Sequence, residues 1–314
     1  MLRNLVQTGG DYREEHLMNA IEKQTVVVTG ASSGIGRACV SRMIQAGWRV
    51  FATVRKVEDR DKLLSEGHAD LIPVIVEITD QGSIIRAAEQ VTAQLQGRGL
   101  EGLVNVAGIG MVRPLEYATA ADLREIFDIN VFGQIAVTQA FLPLLHRARG
   151  RIVNISSVGA HIAIPFASLL NASKSAFGSF SDALRLELHP FGVRVCTVEP
   201  GAIKTPAVEK TLGNIETVVN ALPARGAAQY GKMLSNVVSR AHKREMNGSP
   251  PEVVARAVHH ALTARRPRIR YQVGKDARFL ATLPRILPDW LLDAILLRAM
   301  GLPSKLGAAV TAGS

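Results

Sequence analysis

The sequence predicts a doubly wound parallel α/β sheet, formed as a single domain with a C-terminal helical extension. Three observations support this. Short β-branched and apolar runs alternate with helix-periodic segments, without internal repeats. The first run, Thr25 to Thr29, leads through a glycine-rich turn into a helix, the arrangement of a phosphate cradle. A chain of 314 residues with 47% hydrophobic content can bury one large core.

The opening element is TVVVTGASSGIGRA, Thr25 to Ala38. Its strand reads as buried on both faces, and its helix runs to about Gly47. Between them, Gly30, Gly34 and Gly36 let the backbone bend sharply and approach an anion at the positive end of the helix. The spacing Gly-x3-Gly-x-Gly after Thr29 resembles the TGxxxGIG signature of the short-chain dehydrogenase/reductase family, and through it a Rossmann-type sheet. The resemblance covers about Lys23 to Val273 and is nearest to members acting on lipids, steroids or retinoids. It implies that Gly30, Ser32, Ser33, Gly34, Ile35 and Gly36 surround the phosphates of a nicotinamide dinucleotide.

The second strand, Arg49 to Val54, ends in Arg55-Lys56 where an NAD-selecting fold carries an acid for the ribose 2′-hydroxyl. A guanidinium there suits a 2′-phosphate, so the expected cofactor is NADP(H), with Arg55 as its contact and Ser32 as the family's second one. A solvated charge pair is the plainer reading of Arg55-Lys56. The third strand, Leu71 to Ile78, ends in Glu77 and Ile78 where the family usually carries Asp beside the adenine. A helix from near Asp80 to Leu95 follows. The fourth strand, Leu103 to Val106, leads into Ala107 and Gly108. NVAG resembles the family's NNAG, with Asn105 carried over and Val106 departing from it.

A long helix is expected from Ala121 to about Leu145, apolar on more than one stripe and suited to a dimer contact. A buried Asn130 could simply satisfy backbone groups. The family register instead implies that it distorts the helix and holds a water linked to the catalytic lysine.

The fifth strand, Arg151 to Ile155, ends in Ser156-Ser157, and Lys174 stands on the next helix. The family pattern is Ser, then Tyr thirteen residues later, then Lys four residues on. Ser157 and Lys174 are in that register, but the position between them is Leu170. A phenol one turn before a lysine exchanges protons near neutrality because the charge favours phenolate; leucine cannot do this. Neither Ala167 nor Asn171 replaces it. Residues 168 and 169 also depart from the family's small-then-proline pair, which favours natural divergence. Ser157, Lys174 and Asn130 remain as candidate catalytic residues. Lys174 retains the family's second role of binding the nicotinamide ribose, and Ser157 either orients a substrate oxygen or caps the following segment.

The sixth strand, Val193 to Val198, runs into Glu199-Pro200-Gly201. The resemblance implies that Pro200 and Gly201 turn at the nicotinamide, that Ile203 offers backbone groups to its carboxamide, and that Thr205 offers a hydroxyl. A lid over an apolar pocket is expected at about 202–249. A capping box at Ser249-Pro250-Pro251-Glu252 then opens a helix to Ala264, and a last strand spans Arg268 to Val273.

The domain layout is therefore an extension at 1–22, a dinucleotide-binding domain at 23–274 and an apolar, basic extension at 275–314. The charges at Asp11, Arg13, Glu14 and Glu15 do not fit a signal peptide. No uninterrupted apolar stretch has the length of a bilayer span. Pro284 and Pro288 break the C-terminal segment into short pieces. The reading favours packing of this segment over the substrate mouth or a neighbouring subunit; an in-plane membrane anchor is the alternative. Two cysteines, Cys39 and Cys196, offer no disulfide framework and no metal spacing, which points to a reducing, cytoplasmic setting. The formal charge of +10 suits anionic ligands or an anionic membrane, and no nucleic-acid reader motif accompanies it.

The expected function is NADP-dependent hydride transfer to or from a bulky apolar substrate, a ketone or alcohol or an activated C=C or C=N, with an atypical proton donor. The expected assembly is a homodimer or homotetramer. The alternative is a catalytically degenerate nucleotide-binding protein acting as a sensor or scaffold.

Overall fold

A computed structural model of the protein describes residues 23–212 and 214–306. The extension expected at 1–22, and the part of the C-terminal extension beyond 306, lie outside the described residues.

Seven parallel strands form one sheet in the order β3-β2-β1-β4-β5-β6-β7. They are β1 (Thr25–Val28), β2 (Arg49–Val54), β3 (Leu71–Ile75), β4 (Gly102–Asn105), β5 (Arg151–Ile155), β6 (Arg194–Pro200) and β7 (Arg270–Val273). The chain works outward from β1 to β3, returns to β4 beside β1, and then builds the other half. The β1/β4 boundary is therefore the switch point where such sheets open a crevice. Alternation along β1 explains the two-sided core. Val26 and Val28 meet α1 (Gly34–Gln45) and a later helix through Cys39, Val40, Met43, Val254 and Val258. Val27 faces the opposite layer, with Phe51, Ile84, Val137 and Phe141.

After α1 come α2 (Val57–Ser65) and α3 (Gln81–Leu95). The Asp80 carboxylate caps α3 by accepting from the Gly82 N–H at 2.8 Å. The helix expected from Ala121 to Leu145 is two helices joined by a wider turn. α4 (Ala120–Phe127) and α5 (Gln134–Ala148) flank a π-helical segment at Asp128–Gly133. The continuous run Ala120–Ala148 has the length and apolar content of a bilayer-crossing helix, which the sequence reading did not foresee; half of its most apolar stretch is buried in the protein.

Beyond β5 lie α6 (Ser168–Glu187) and, after β6, three lid helices: α7 (Pro206–Leu212), α8 (Ile215–Asn220) and α9 (Ala224–Met246). α10 (Glu252–Thr263) follows, then α11 (Ala277–Ile286) and α12 (Asp289–Met300) after β7.

Two local expectations fail. No capping box forms at Ser249, because its hydroxyl turns to accept from the Lys275 N–H at 3.3 Å and Pro251 is the residue that precedes α10. Pro284 does not break the C-terminal segment; it sits in the last turns of α11, and Pro288 alone separates the two helices. The end of α12 is closed from the lid, where Arg240 of α9 donates to the Ala299 carbonyl at 3.0 Å.

Candidate active site

The phosphate cradle is built by steric exclusion. Gly30 and Gly34 have φ of +63° and +57°, where an L side chain is strained. A Cβ on Gly36 would lie 2.1 Å from the Gly30 carbonyl oxygen, so no other residue fits the first turn of α1. A Cβ on Gly30 would lie 2.9 Å from the Ala107 Cα, and one on Gly34 would lie 3.2 Å from the Thr205 Cβ. Three separated candidates, the glycine loop, Ala107 and Thr205, thus meet at one point. Thr29, left out of the sequence-based set, fastens the crevice by accepting at Oγ1 from the N–H groups of Val106 (2.8 Å) and Ala107 (3.1 Å). The residues present fit a dinucleotide, with a bare glycine cradle opening at a helix N-terminus.

At the adenosine end, the Ala31 N–H donates to the Thr53 carbonyl at 2.9 Å, which sets the loop against the end of β2. Ser32 and Arg55 are both exposed there. Glu77 is half-buried and accepts from the Thr79 hydroxyl at 3.0 Å, while Ile78 beside it is buried. Asn105 needs correction. Its side chain is fully buried in the sheet and donates to Thr138 Oγ1 and Asn154 Oδ1, both at 2.9 Å, so it braces β4 and does not face the crevice.

Asn130 explains the wide turn between α4 and α5. Its Oδ1 accepts from the Ile109 N–H at 2.8 Å and its Nδ2 donates to the Ile109 carbonyl at 3.0 Å and to Ser173 Oγ at 3.1 Å. One amide therefore holds the loop after Gly108 against α6. A Cβ on Gly108 would stand 3.1 Å from Asn130 Oδ1 and 3.6 Å from Lys174 Nζ, which places all three together.

Lys174 Nζ donates to the Ile155 carbonyl at 3.1 Å and has no other partner among the described residues. Desolvation pushes its pKa down to about 8. Ser157 accepts from the Gly159 N–H at 3.0 Å, so it caps the turn that follows; the capping reading of this hydroxyl holds, and its O–H remains able to donate. Leu170 is half-buried one turn before Lys174.

Among the described residues, the tyrosine of the expected lid, Tyr230, is engaged elsewhere. Tyr230 on α9 donates to Glu116 Oε2 at 2.8 Å, and that bond together with the carboxylate's charge raises its pKa. Its ring stands edge-on to Tyr117 and Phe166, with centroids 5.9 and 6.0 Å apart. Phe166 has φ of +65°, a strained conformation for a bulky residue, and its carbonyl accepts from the Arg113 N–H at 2.7 Å. Leu222, Leu234 and Val238 form a small core of their own with Val112, Leu212 and Val218, so the lid folds as a packed unit.

The turn after β6 holds groups that sequence reasoning missed. Glu199 is fully buried between Arg270 Nη1 (2.6 Å) and His161 Nε2 (3.0 Å). Asp276 Oδ1 accepts from the Ala202 N–H at 3.1 Å, and its Oδ2 pairs with Arg244 at 2.5 Å. The Ile203 N–H, expected to meet a ligand, donates to Glu245 Oε2 at 3.1 Å. Nothing in spacing pairs residues more than seventy apart.

Residues 24–215 match the short chain dehydrogenase family. The chain is 36% identical to retinol dehydrogenase 5 of Homo sapiens over 288 residues, 89% of this chain and 90% of that protein. It is 33% identical to 17-beta-hydroxysteroid dehydrogenase type 6 of Mus musculus over 301 residues, 94% of each. Among solved structures it is similar to a short chain dehydrogenase from Burkholderia cenocepacia J2315 in complex with NADP, with a TM-score of 0.67 and 27% identity over 88% of this chain and 98% of that one.

Proposed function

The chain belongs to the short chain dehydrogenase family, and from that premise we propose that it is an NADP(H)-dependent oxidoreductase for a bulky apolar substrate, working without the usual phenol. The observation that carries this is the retained constellation of Lys174, Asn130 and Gly108 at the crevice, beside Leu170. The exposed Arg55 at the end of β2, between Val54 and Lys56, supports the 2′-phosphate. The apolar substrate class is supported by the names of the relatives and by the aromatic lid of Tyr117, Phe166 and Tyr230.

A bound nicotinamide dinucleotide would supply or accept the hydride, its phosphates held at Gly30, Gly34 and Gly36 and its nicotinamide by Thr205 and the turn at Pro200 to Ile203. In this reading the Ser157 hydroxyl, whose oxygen caps the next turn, donates its O–H to the reacting oxygen of the substrate. Lys174 holds a proton that exchanges near neutrality, because desolvation has brought it to about 8. It stands in for the missing phenol as the acid in reduction and, deprotonated, as the base in oxidation. The Lys174 ammonium is lost as pH rises through about 8, so reduction should fall and oxidation should rise across that window. The test is single-turnover oxidation of bound NADPH across apolar ketones, enals and imines, followed as a function of pH. Tight NADPH binding with no turnover on any of them would instead support the degenerate sensor or scaffold, the reading that Leu170 favours.

Exposed Leu123, Phe132 and Phe180 on the α4–α6 side support a homodimer or homotetramer. On α11 and α12, exposed Phe279, Ile286 and Trp290 beside Arg278 and Arg285 support peripheral contact of a cytoplasmic protein with an anionic membrane.

A further inference from the structure

Each N–H of the turn that follows β6 has a protein acceptor. Gly201 donates to the Val273 carbonyl at 2.9 Å, Ala202 to Asp276 Oδ1 at 3.1 Å, Ile203 to Glu245 Oε2 at 3.1 Å, and Lys204 to the Ser249 carbonyl at 3.0 Å. These acceptors are of two kinds. Val273, Ser249 and Asp276 belong to β7 and the loops beside it, and Asp276 has no freedom to move inward. A Cβ on Gly201 would lie 2.0 Å from its Oδ1, and Arg244 holds its Oδ2 from two nitrogens, Nε at 2.8 Å and Nη2 at 2.5 Å. Glu245 differs. It is carried by the last turn of α9, the longest helix of the lid, and its second oxygen has only Arg244 Nη1 at 3.4 Å. A carboxylate there is desolvated by its surroundings, which raises its pKa, and the Arg244 charge and then the Ile203 N–H bond offset that penalty.

We propose that Glu245 is a positioning residue that competes with the nicotinamide carboxamide for the Ile203 N–H, so that filling the nicotinamide end of the crevice releases the Glu245 side chain while the Arg244–Asp276 pair keeps the end of α9 seated on the turn. This rests on the cofactor reading above, in which the Ile203 backbone faces the carboxamide. It goes beyond it by making the lid a participant in cofactor binding. One N–H cannot serve both acceptors at full strength. Binding of the nicotinamide half therefore carries the cost of displacing Glu245, and binding of the adenosine half does not. Glu245 and the nicotinamide are then linked reciprocally: whatever draws the Glu245 carboxylate away from the Ile203 N–H tightens the dinucleotide.

The test uses the full chain and two probes, NADPH and adenosine 2′,5′-bisphosphate, which carries the 2′-phosphate and lacks the nicotinamide. Dissociation constants are measured by calorimetry for the wild type, Glu245→Ala, Glu245→Gln and Asp276→Asn, with thermal unfolding of each. The expected result is that Glu245→Ala binds NADPH about tenfold more tightly and the bisphosphate unchanged, the scale of one charge-assisted hydrogen bond released. Glu245→Gln, which keeps the shape with a weaker acceptor, should show a smaller gain of the same kind. It decides the matter if the alanine variant does not fold. Asp276→Asn should weaken NADPH and leave the bisphosphate unchanged. Equal changes for both probes in the Glu245 variants, or weaker NADPH binding, would overturn the competition and leave the cofactor reading intact. A wild-type protein that binds neither probe would remove the cofactor reading and this inference with it.

Discussion

The two ends of the crevice follow different rules. At the phosphate end, Gly30, Gly34 and Gly36 are fixed by backbone geometry, and the parts that meet there leave no room for a Cβ. At the proposed substrate end, a half-buried Leu170 stands one turn before Lys174, among side chains that hold one another in place. Lys174 still reaches the Ile155 carbonyl, and Asn130 still ties Ile109 to Ser173. A binding cradle made from backbone cannot drift without losing the fold, whereas a catalytic side chain on a half-buried helix face can change while the scaffold persists.

The comparison is tested most severely at Leu170. If the scaffold is intact, Leu170→Tyr returns a phenol to the face that bears Lys174, and single-turnover ketone reduction should rise by something approaching ~10²-fold, with NADPH affinity little changed. A fall in native turnover would show instead that the new ring occupies space the substrate needs. Because a buried phenol without a partner is costly, thermal unfolding of the variant is measured first. Arg55 tests the other end. Arg55→Ala should weaken NADP(H) by about 1.5–3 kcal/mol and leave NAD(H) nearly unchanged, as titration of both nucleotides would show. Equal losses would place Arg55 away from the 2′-phosphate. The smallest expected effect lies outside the crevice. Phe279 and Trp290 are 66% and 72% exposed, so the double change Phe279→Ser with Trp290→Ser should shift unfolding stability by no more than about 0.5 kcal/mol per site. Sedimentation with anionic lipid vesicles should nevertheless fall in that variant; unchanged sedimentation would remove the membrane contact.

The order of strands and helices was legible because period and turn chemistry act locally. β-branched runs, the glycine spacing and an Asp80 cap each decide their own few residues. Cys39 and Cys196 are buried, as their apolar neighbours implied. The register of Ser157 and Lys174 was legible for the same reason, since both positions are counted along one stretch of chain. The exceptions are also physical. The π turn at Asp128–Gly133 depends on Asn130 meeting Ile109, twenty-one residues earlier, and local propensity has no term for that contact. The resemblance of NVAG to NNAG assigns Asn105 to the cofactor, but β4 turns its side chain into the sheet toward Thr138 and Asn154. Ser249 looked like a cap, and a neighbour from the end of β7 captured its hydroxyl.

The sequence by itself determined the fold class and the glycine-rich turn between β1 and α1, because each is a property of residue type at short spacing. Only the tertiary structure decided which acceptors hold the turn after β6. Asp276 and Glu245 reach Ala202 and Ile203 from seventy-four and forty-two residues away. Both pairings exist because α9 and the segment after β7 converge on the same strand end, where desolvated backbone N–H groups require partners that no linear pattern assigns.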